Sequence, residues 1–153
     1  MKRLFFVISF LFCFMISKAQ SVDELAVQQV IDVLFNGMAA KDAVAIKSVM
    51  HSSARLQSVS VDDSGKPQLQ LESVDDFVKQ ITAIPSNTKI EERVLFYDVK
   101  VDGNLAQVWA EYQFYINDKM SHCGVDSFQL YKAENGDWKI IQIADTRHKD
   151  KCD

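Results

Sequence analysis

Proline and glycine are scarce in this sequence, with two prolines and five glycines among 153 residues. No Pro/Gly-rich linker, repeat or low-complexity stretch divides the chain, so its length suits one domain with one core. The sequence also lacks a glycine-rich phosphate loop, a Ser-His-Asp spacing and a paired metal-ligand motif. We therefore expect no cofactor and no bound metal.

The first apolar run is too short for a membrane-spanning helix. Two basic residues precede residues 4–16, which are apolar apart from Ser9, whereas a spanning helix needs about 20 apolar residues. Small residues at positions 17 and 19 match the positions that a signal peptidase reads. The sequence predicts a signal peptide at 1–19 and an exported domain at 20–153, periplasmic or secreted.

Two other interpretations of this segment are less favoured. A retained membrane anchor would need a longer apolar run. A lipoprotein would need a small residue before its cysteine, and Phe12 precedes Cys13. Cleavage after Ala19 therefore remains the interpretation that fits best, and two cysteines survive it, Cys123 and Cys152.

Basic residues are too few for a polyanion-binding protein. Removing Lys2, Arg3 and Lys18 with the signal peptide lowers 17 basic residues to 14, against 21 acidic ones. The mature net charge is then about −7. This balance argues against nucleic acid and anionic membrane surfaces as partners.

Helix signals come first along the chain and strand signals last. Three capping residues, Ser21, Asp42 and Ser73, predict the starts of three helices. Runs of β-branched and aromatic residues between turn signals predict strands. These strands cover 54–61, 68–72, 91–101, 105–117, 120–133 and 138–147. Helices followed by an antiparallel meander indicate an α+β fold with the helices on one sheet face.

This order of elements resembles the nuclear transport factor 2-like superfamily. The segments 121–130, 137–141 and 145–147 are similar to the C-terminal signature of its lumazine-binding and polyketide-cyclase-like bacterial branch. The resemblance covers about 22–148. It implies a cone-shaped, curved antiparallel sheet wrapped on N-terminal helices. It does not imply one activity, since the fold hosts enzymes, binding modules and transport factors.

Turn positions predict which side chains share a sheet face. A turn at Asn135-Gly136 places Asp126 opposite Asp145, and a turn at Asp118-Lys119 places Asp126 opposite Glu111. Alternation then assigns one set of residues to the concave, helix-covered face. This set is Trp109, Glu111, Gln113, Tyr115, His122, Asp126, Phe128, Ile141, Ile143, Asp145 and Arg147.

The predicted cavity has an apolar end and a charged end. A row of carboxylates, Glu111, Asp126 and Asp145, would keep a proton near neutral pH if poorly solvated, and Asp126 and Asp145 are the candidates for a catalytic acid or base. The alternative is a solvated mouth with surface ion pairs. The predicted ligand-binding residues are Arg55, Trp109, Glu111, Tyr115, His122, Asp126, Asp145 and Arg147.

The opposite sheet face is also apolar in this register. It would carry Val108, Ala110, Tyr112, Phe114, Val125, Tyr131 and Trp138. No helices remain to cover these residues, and an exposed apolar surface of this size suggests a partner subunit. Members of the resembled superfamily often pair through this face. We therefore expect a homodimer.

The two remaining cysteines favour a disulfide. An oxidising destination allows Cys123 and Cys152 to form one bridge. Free thiols are the next alternative. A zinc site with His148 and a second histidine ranks last, because the spacing has no paired-ligand pattern.

Three functional hypotheses remain open at this point. The first is an exported module that binds a small, partly apolar molecule in the cone. The second is a proton-transfer enzyme, with Asp126 or Asp145 as acid or base and Tyr115 or His122 as a polarising partner. The third is a structural domain whose cone is filled by its own side chains.

Overall fold

A computed structural model describes residues 21–149 and residue 152. The predicted signal peptide, 1–19, lies outside the described residues. Within the described part of the chain, no helix is both long enough and apolar enough to cross a membrane.

Three helices and six strands make up the domain. The helices are α1 (Val22–Ala40), α2 (Ala43–Val49) and α3 (Val74–Ala83). The strands are β1 (Met50–Val61), β2 (Pro67–Ser73), β3 (Ile90–Asp102), β4 (Leu105–Ile116), β5 (Lys119–Lys132) and β6 (Trp138–Thr146). This arrangement confirms the predicted α+β class.

The helices begin where local hydrogen bonding favours a start. Ser21 and Glu24 form a complete capping box, with the Glu24 amide donating to the Ser21 hydroxyl at 3.1 Å. Asp42 accepts from the first amides of α2, and Ser73 accepts from the Asp76 amide at the start of α3. Each cap satisfies amides that have no partner inside the helix, and all three predicted starts are confirmed.

The sheet has the strand order β2-β1-β6-β5-β4-β3. Neighbouring strands are antiparallel, except that β1 runs parallel to β6. This parallel pair was not predicted, because the two strands come from opposite ends of the chain. Strand β1 also begins earlier than predicted, since residues 51–53 belong to it.

The helices pack on one sheet face and enclose the core between them. Val27, Ile31 and Leu34 of α1 are fully or almost fully buried. Opposite them, β4 contributes Val108 and β5 contributes Phe128, which are equally inaccessible. Burial of these side chains is the main favourable contribution to folding, at roughly 1.5–3 kcal/mol for each large apolar side chain.

The turn between β4 and β5 differs from the prediction by one residue. Asn117 and Asp118 both have positive φ angles, 50° and 62°, and Ile116 pairs with Lys119. A two-residue hairpin turn of this type needs positive φ at both central positions. Asn and Asp tolerate that conformation better than Lys does, so the turn forms at 117–118 and not at 118–119.

A bulge in β5 next to the turn reverses the faces of β4. Tyr115 still pairs with Met120 beside the turn, whereas beyond the bulge Phe114 lies opposite His122 and Ala110 lies opposite Asp126. The predicted pairing of Asp126 with Glu111 is therefore wrong. Because side chains alternate, Val108, Ala110, Tyr112 and Phe114 point toward the helices. Trp109, Glu111, Gln113 and Tyr115, which were predicted there, lie on the helix-free face.

The register between β5 and β6 is confirmed near the middle of the strands. Asp126 pairs with Asp145 and Phe128 pairs with Ile143. A bulge after Gln129 shifts the rest, so Leu130 pairs with Ile140. Ile140 consequently lies in the core, and the prediction that Ile141 lies on the concave face is wrong.

Most residues of the predicted apolar, helix-free face do not lie on that face. Trp138 is buried in the core, as are Val108, Ala110 and Tyr112. The helix-free face instead presents exposed Phe96 and Trp109 among polar neighbours such as Glu111. The homodimer stays a prediction with weaker support.

A disulfide joins Cys123 of β5 to Cys152, with 5.5 Å between their Cα atoms. Backbone hydrogen bonds between Cys123 and His148 hold the segment that follows β6 against β5. The crosslink therefore anchors the segment that follows β6, including Arg147.

We predict that the double variant Cys123→Ala/Cys152→Ala unfolds more easily than the wild type. The bridge closes a loop with a sequence separation of 29, which corresponds to about 3–4 kcal/mol of stabilisation. Chemical denaturation without reductant measures this loss. Reductant should destabilise the wild type by a similar amount and leave the double variant unchanged. Equal stabilities without reductant would contradict the prediction.

Candidate functional site

A cavity of about 710 Å³ lies between the sheet and the helices. Its apolar wall comes from α1 and from the concave face of the sheet, with Leu34, Phe35, Phe128 and Ile143 as principal members. Polar side chains from β1, β3, β5 and β6 line the remainder. A concave apolar space with a few polar groups is the usual form of a small-molecule site.

One row of side chains crosses the sheet at the boundary between these two parts. Strand pairing aligns Tyr97, Ala110, Asp126, Asp145 and Ser58 on five successive strands. The Tyr97 hydroxyl donates to Asp32 of α1 at 2.9 Å, which shows that the row faces the helices. Asp126 occupies the centre of the row and is only 5% exposed.

The neighbour of Asp126 is Glu92 of β3. The two carboxyl groups are hydrogen-bonded to each other, and both line the cavity. Burial raises the pKa of Asp126 well above its usual range, and the charge of Glu92 acts in the same direction. Burial also raises the pKa of Glu92 to about 7. Like charges in a poorly solvated space resist joint ionisation, so the pair retains a shared proton.

The Asp126 carboxyl group is incompletely satisfied. Its Oδ2 atom is buried and has no donor among the described residues. A buried oxygen of this kind is unfavourable unless a ligand or water supplies a donor.

A second polar cluster lies at the other side of the cavity. Arg147 donates to Oδ2 of Asp145 at 2.8 Å, and the Ser58 hydroxyl donates to the same atom at 3.0 Å. The side chain of Asp145 is 14% exposed and that of Arg147 is 53% exposed. Arg147 is thus already paired and faces solvent, which places this cluster at the cavity mouth.

An aromatic group lies along the same wall. His122 stacks on Phe114, with 4.9 Å between ring centroids, and makes an edge contact with Tyr112. Burial lowers the pKa of His122, and the positive charge of Arg147 lowers it further. The imidazole is therefore neutral at pH 7, and it adds a flat, uncharged surface to the cavity.

Gly124 separates His122 from Asp126 on the same face of β5. A Cβ atom at this position would lie 1.9 Å from the carbonyl oxygen of Thr146. This close approach allows that carbonyl to accept the Tyr112 hydroxyl at 2.9 Å. Glycine is thus needed for the backbone contact that positions Tyr112 in the wall.

The structure brings together half of the predicted ligand-binding residues. His122, Asp126, Asp145 and Arg147 line the cavity. The other four lie elsewhere. Trp109 and Glu111 are exposed on the helix-free face, and Arg55 is exposed outside the cavity lining. Tyr115 lies under the guanidinium of Arg93, 3.9 Å from its ring centroid, also away from the cavity.

Glu92 is the cavity residue that the sequence analysis missed. A signal for it exists, because Ile90 and Val94 on either side of it are apolar positions of the same strand face. An acidic residue within an otherwise apolar alternation indicates a buried carboxyl group. The contact with Asp126 is not visible in the sequence, since it depends on how β3, β4 and β5 align.

The chain matches the family model described as "Putative lumazine-binding" over residues 22–144. It belongs to this family. Its nuclear transport factor 2-like fold is shared with many solved structures, which confirms the predicted superfamily and fold class. The comparison with curated proteins finds no match.

Three similar structures illustrate the range of this fold. A nuclear transport factor 2-like protein of unknown function from Shewanella baltica is 19% identical, with 83% of this chain and 94% of that one covered and a TM-score of 0.60. The beta subunit of a "putative aromatic-ring-hydroxylating dioxygenase" from Novosphingobium aromaticivorans is 12% identical (86% and 93%, TM-score 0.67). A "putative dehydratase" from Streptomyces avermitilis is 14% identical (83% and 96%, TM-score 0.60). At these identities the comparison shows the fold alone.

In this member of the family, the cavity has no evident metal site. Over 21–149 and 152, no three His, Cys, Asp or Glu side chains are arranged to hold a metal ion. The polar groups that line the described cavity include carboxyl, hydroxyl and imidazole groups.

We predict that Glu92→Gln stabilises the protein at pH 8 and weakens its pH dependence. The folded-state pKa of Glu92 is about 7, above the ordinary value of 4.5, so the folded protein binds the proton more tightly. Stability from this group is present below pH 4.5 and is lost as the pH rises to about 7. The loss is about 3 kcal/mol.

Denaturation at pH 5 to 8 provides the measurement. His122 acts in the opposite direction, since its lowered pKa disfavours the folded state at low pH. The difference between wild type and Glu92→Gln therefore isolates Glu92. Glu111→Gln, an exposed carboxyl on the opposite face, serves as the control and should follow the wild type. Parallel curves for wild type and Glu92→Gln would show that Glu92 is normally solvated.

Proposed function

We propose that this protein is an exported module that binds a small, partly apolar molecule in its cone. The observation that carries the proposal is the cavity of about 710 Å³, in which the buried Oδ2 atom of Asp126 has no donor among the described residues. Its volume lies within the range of about 300–1,000 Å³ that is usual for ligand pockets. The family description as lumazine-binding is consistent with ligand binding but does not identify this chain's ligand.

The cavity also weighs against a purely structural role. A cone filled by its own side chains would be packed to the density of a protein interior, with few voids larger than a water molecule. Here, the partly buried Phe77 and Phe114 line the cavity on one side and pack against the core on the other.

Export is supported by two features of different kinds. Residues 1–19 have the three-part pattern of a signal peptide. The Cys123–Cys152 disulfide suits an oxidising compartment. Intact mass spectrometry of the protein from its own host should find Gln20 as the first residue, and a retained N-terminus would reject cleavage after Ala19.

Proton-transfer catalysis is the second candidate function. The Asp126–Glu92 pair favours it, because burial raises the pKa of both carboxyl groups, that of Glu92 to about 7, and raised values suit a general acid or base. His122 faces the same cavity and Tyr112 replaces the predicted Tyr115. Incubation with a host metabolite extract distinguishes the two candidates. An enzyme converts a compound in the extract, and its Asp126→Asn variant does not. A binding module binds a compound and leaves it chemically unchanged.

We predict that N-phenyl-1-naphthylamine, a neutral and largely apolar fluorophore, binds in the cavity with increased emission. The apolar wall around Phe128 would desolvate its rings. Ser58→Trp should weaken binding at least tenfold (about 1.4 kcal/mol), because a bulky side chain there would obstruct the mouth.

Ser127→Trp is the matched control for that experiment. Ser127 follows Asp126 on β5 and pairs with Trp109, so its side chain points to the helix-free face. This variant should bind the fluorophore like the wild type. Equal weakening by both substitutions would place the binding site outside the cavity, and no emission change at all would contradict the proposed function.

A further inference from the structure

The polar end of the cavity carries more negative than positive charge. Five carboxyl groups line it, those of Glu72, Asp76, Glu92, Asp126 and Asp145. Two basic side chains do so as well, Lys79 and Arg147. With one proton shared by the Asp126–Glu92 pair, four negative charges face two positive ones. Such a potential disfavours anionic ligands and attracts cations.

Neither basic group makes an ion pair with the buried Asp126–Glu92 pair. Arg147 is engaged with Asp145 at 2.8 Å, and its charge lowers the pKa values of Asp126 and Glu92 less than burial raises them. Lys79 belongs to α3, is exposed, and lies on the opposite wall from the sheet. The negative charge of the pair is therefore only partly compensated. A buried charge without a partner is unfavourable, so a ligand that supplies one gains affinity.

The same pair needs a hydrogen-bond donor. One oxygen of Asp126 is an acceptor without a donor among the described residues. When Glu92 holds the shared proton, Asp126 is ionised and its oxygens accept and do not donate. An N–H group on a positively charged nitrogen would meet both needs with one contact, since charge-assisted hydrogen bonds are the stronger kind.

We propose that the cavity selects organic cations, in which a protonated N–H nitrogen binds the Asp126–Glu92 pair and an apolar body fills the wall formed by α1 and the sheet. This inference rests on the proposed function, because it names the ligand class of the same cavity. It adds the charge of the ligand, which neither the fold nor the family description supplies.

The neighbouring rings suit this class of ligand. Tyr112 and Phe114 line the cavity beside the carboxyl pair, and aromatic faces attract cations. Phe35 and Phe128 continue the aromatic surface toward the core, with 6.0 Å between their ring centroids. A flat, apolar body would therefore contact rings along its length while its nitrogen reaches Asp126.

Three ligands of one shape test the inference by calorimetry at pH 7.5, where the pair carries one negative charge. The probes are 1-naphthylmethylamine (a cation), 1-naphthalenemethanol (a neutral donor) and 1-naphthoate (an anion). We expect the amine to bind at least about tenfold more tightly than the alcohol, and the carboxylate to bind more weakly than both. An alcohol that binds as tightly as the amine, or a carboxylate that binds best, would overturn the inference.

Variants locate the source of the preference. Asp126→Asn and Glu92→Gln keep the shape of each side chain but remove its charge, so each should reduce the advantage of the amine over the alcohol to about threefold or less. Glu111→Gln should preserve that advantage. The thermal transition of each variant reports whether it is folded. A preference that persists in both cavity variants would overturn the inference.

The two proposals fail in different ways. If the alcohol and N-phenyl-1-naphthylamine bind but the amine has no advantage, ligand binding stands and charge selection is wrong. If none of the naphthalene compounds binds at millimolar concentration, both proposals are wrong.

Discussion

The register between β4 and β5 is the constraint on which the cavity depends. The turn at Asn117 and Asp118 pairs Ile116 with Lys119, and a bulge in β5 just after it shifts the pairing by one residue. Tyr112 and Phe114 consequently lie on the same face as Asp126, toward the helices, and Glu111 faces away. Without the bulge, Trp109, Glu111 and Gln113 would share the face of Asp126. The turn and the adjacent bulge together thus determine the chemistry of the site.

Within that wall, the Asp126–Glu92 pair is the feature that reduces stability. Two carboxyl groups share a poorly solvated space. Asp126 is only 5% exposed, and its Oδ2 atom has no donor among the described residues. Apolar side chains of similar size would be expected to stabilise the fold more. Polar groups buried at such a cost are concentrated in binding and catalytic sites, where a ligand supplies the missing partner. We therefore place the functional end of the proposed binding cavity at this pair.

The other elements hold this end in place. The disulfide and the backbone bonds of His148 fix the chain after β6, and Arg147 on that chain pairs with Asp145 at the mouth. Gly124 admits the Thr146 carbonyl, which orients Tyr112. The fold is common to proteins with different activities, so function in this family member resides in these side chains and not in the architecture.

Local interactions explain what the sequence by itself determined. Helix starts at Ser21, Asp42 and Ser73 depend on capping bonds within three residues. The pairing of Asp126 with Asp145 was also predicted, but it needs the bulge after Gln129, which a turn signal does not reveal. Tertiary structure alone decided the parallel contact of β1 with β6 and the meeting of Glu92 with Asp126. Both join segments far apart in the chain, and the second also depends on bulges in β3 and β5 that shift alignment by one residue. Alternation along a strand specifies a face only once the register is known, and the register of distant strands is set by packing of the whole sheet.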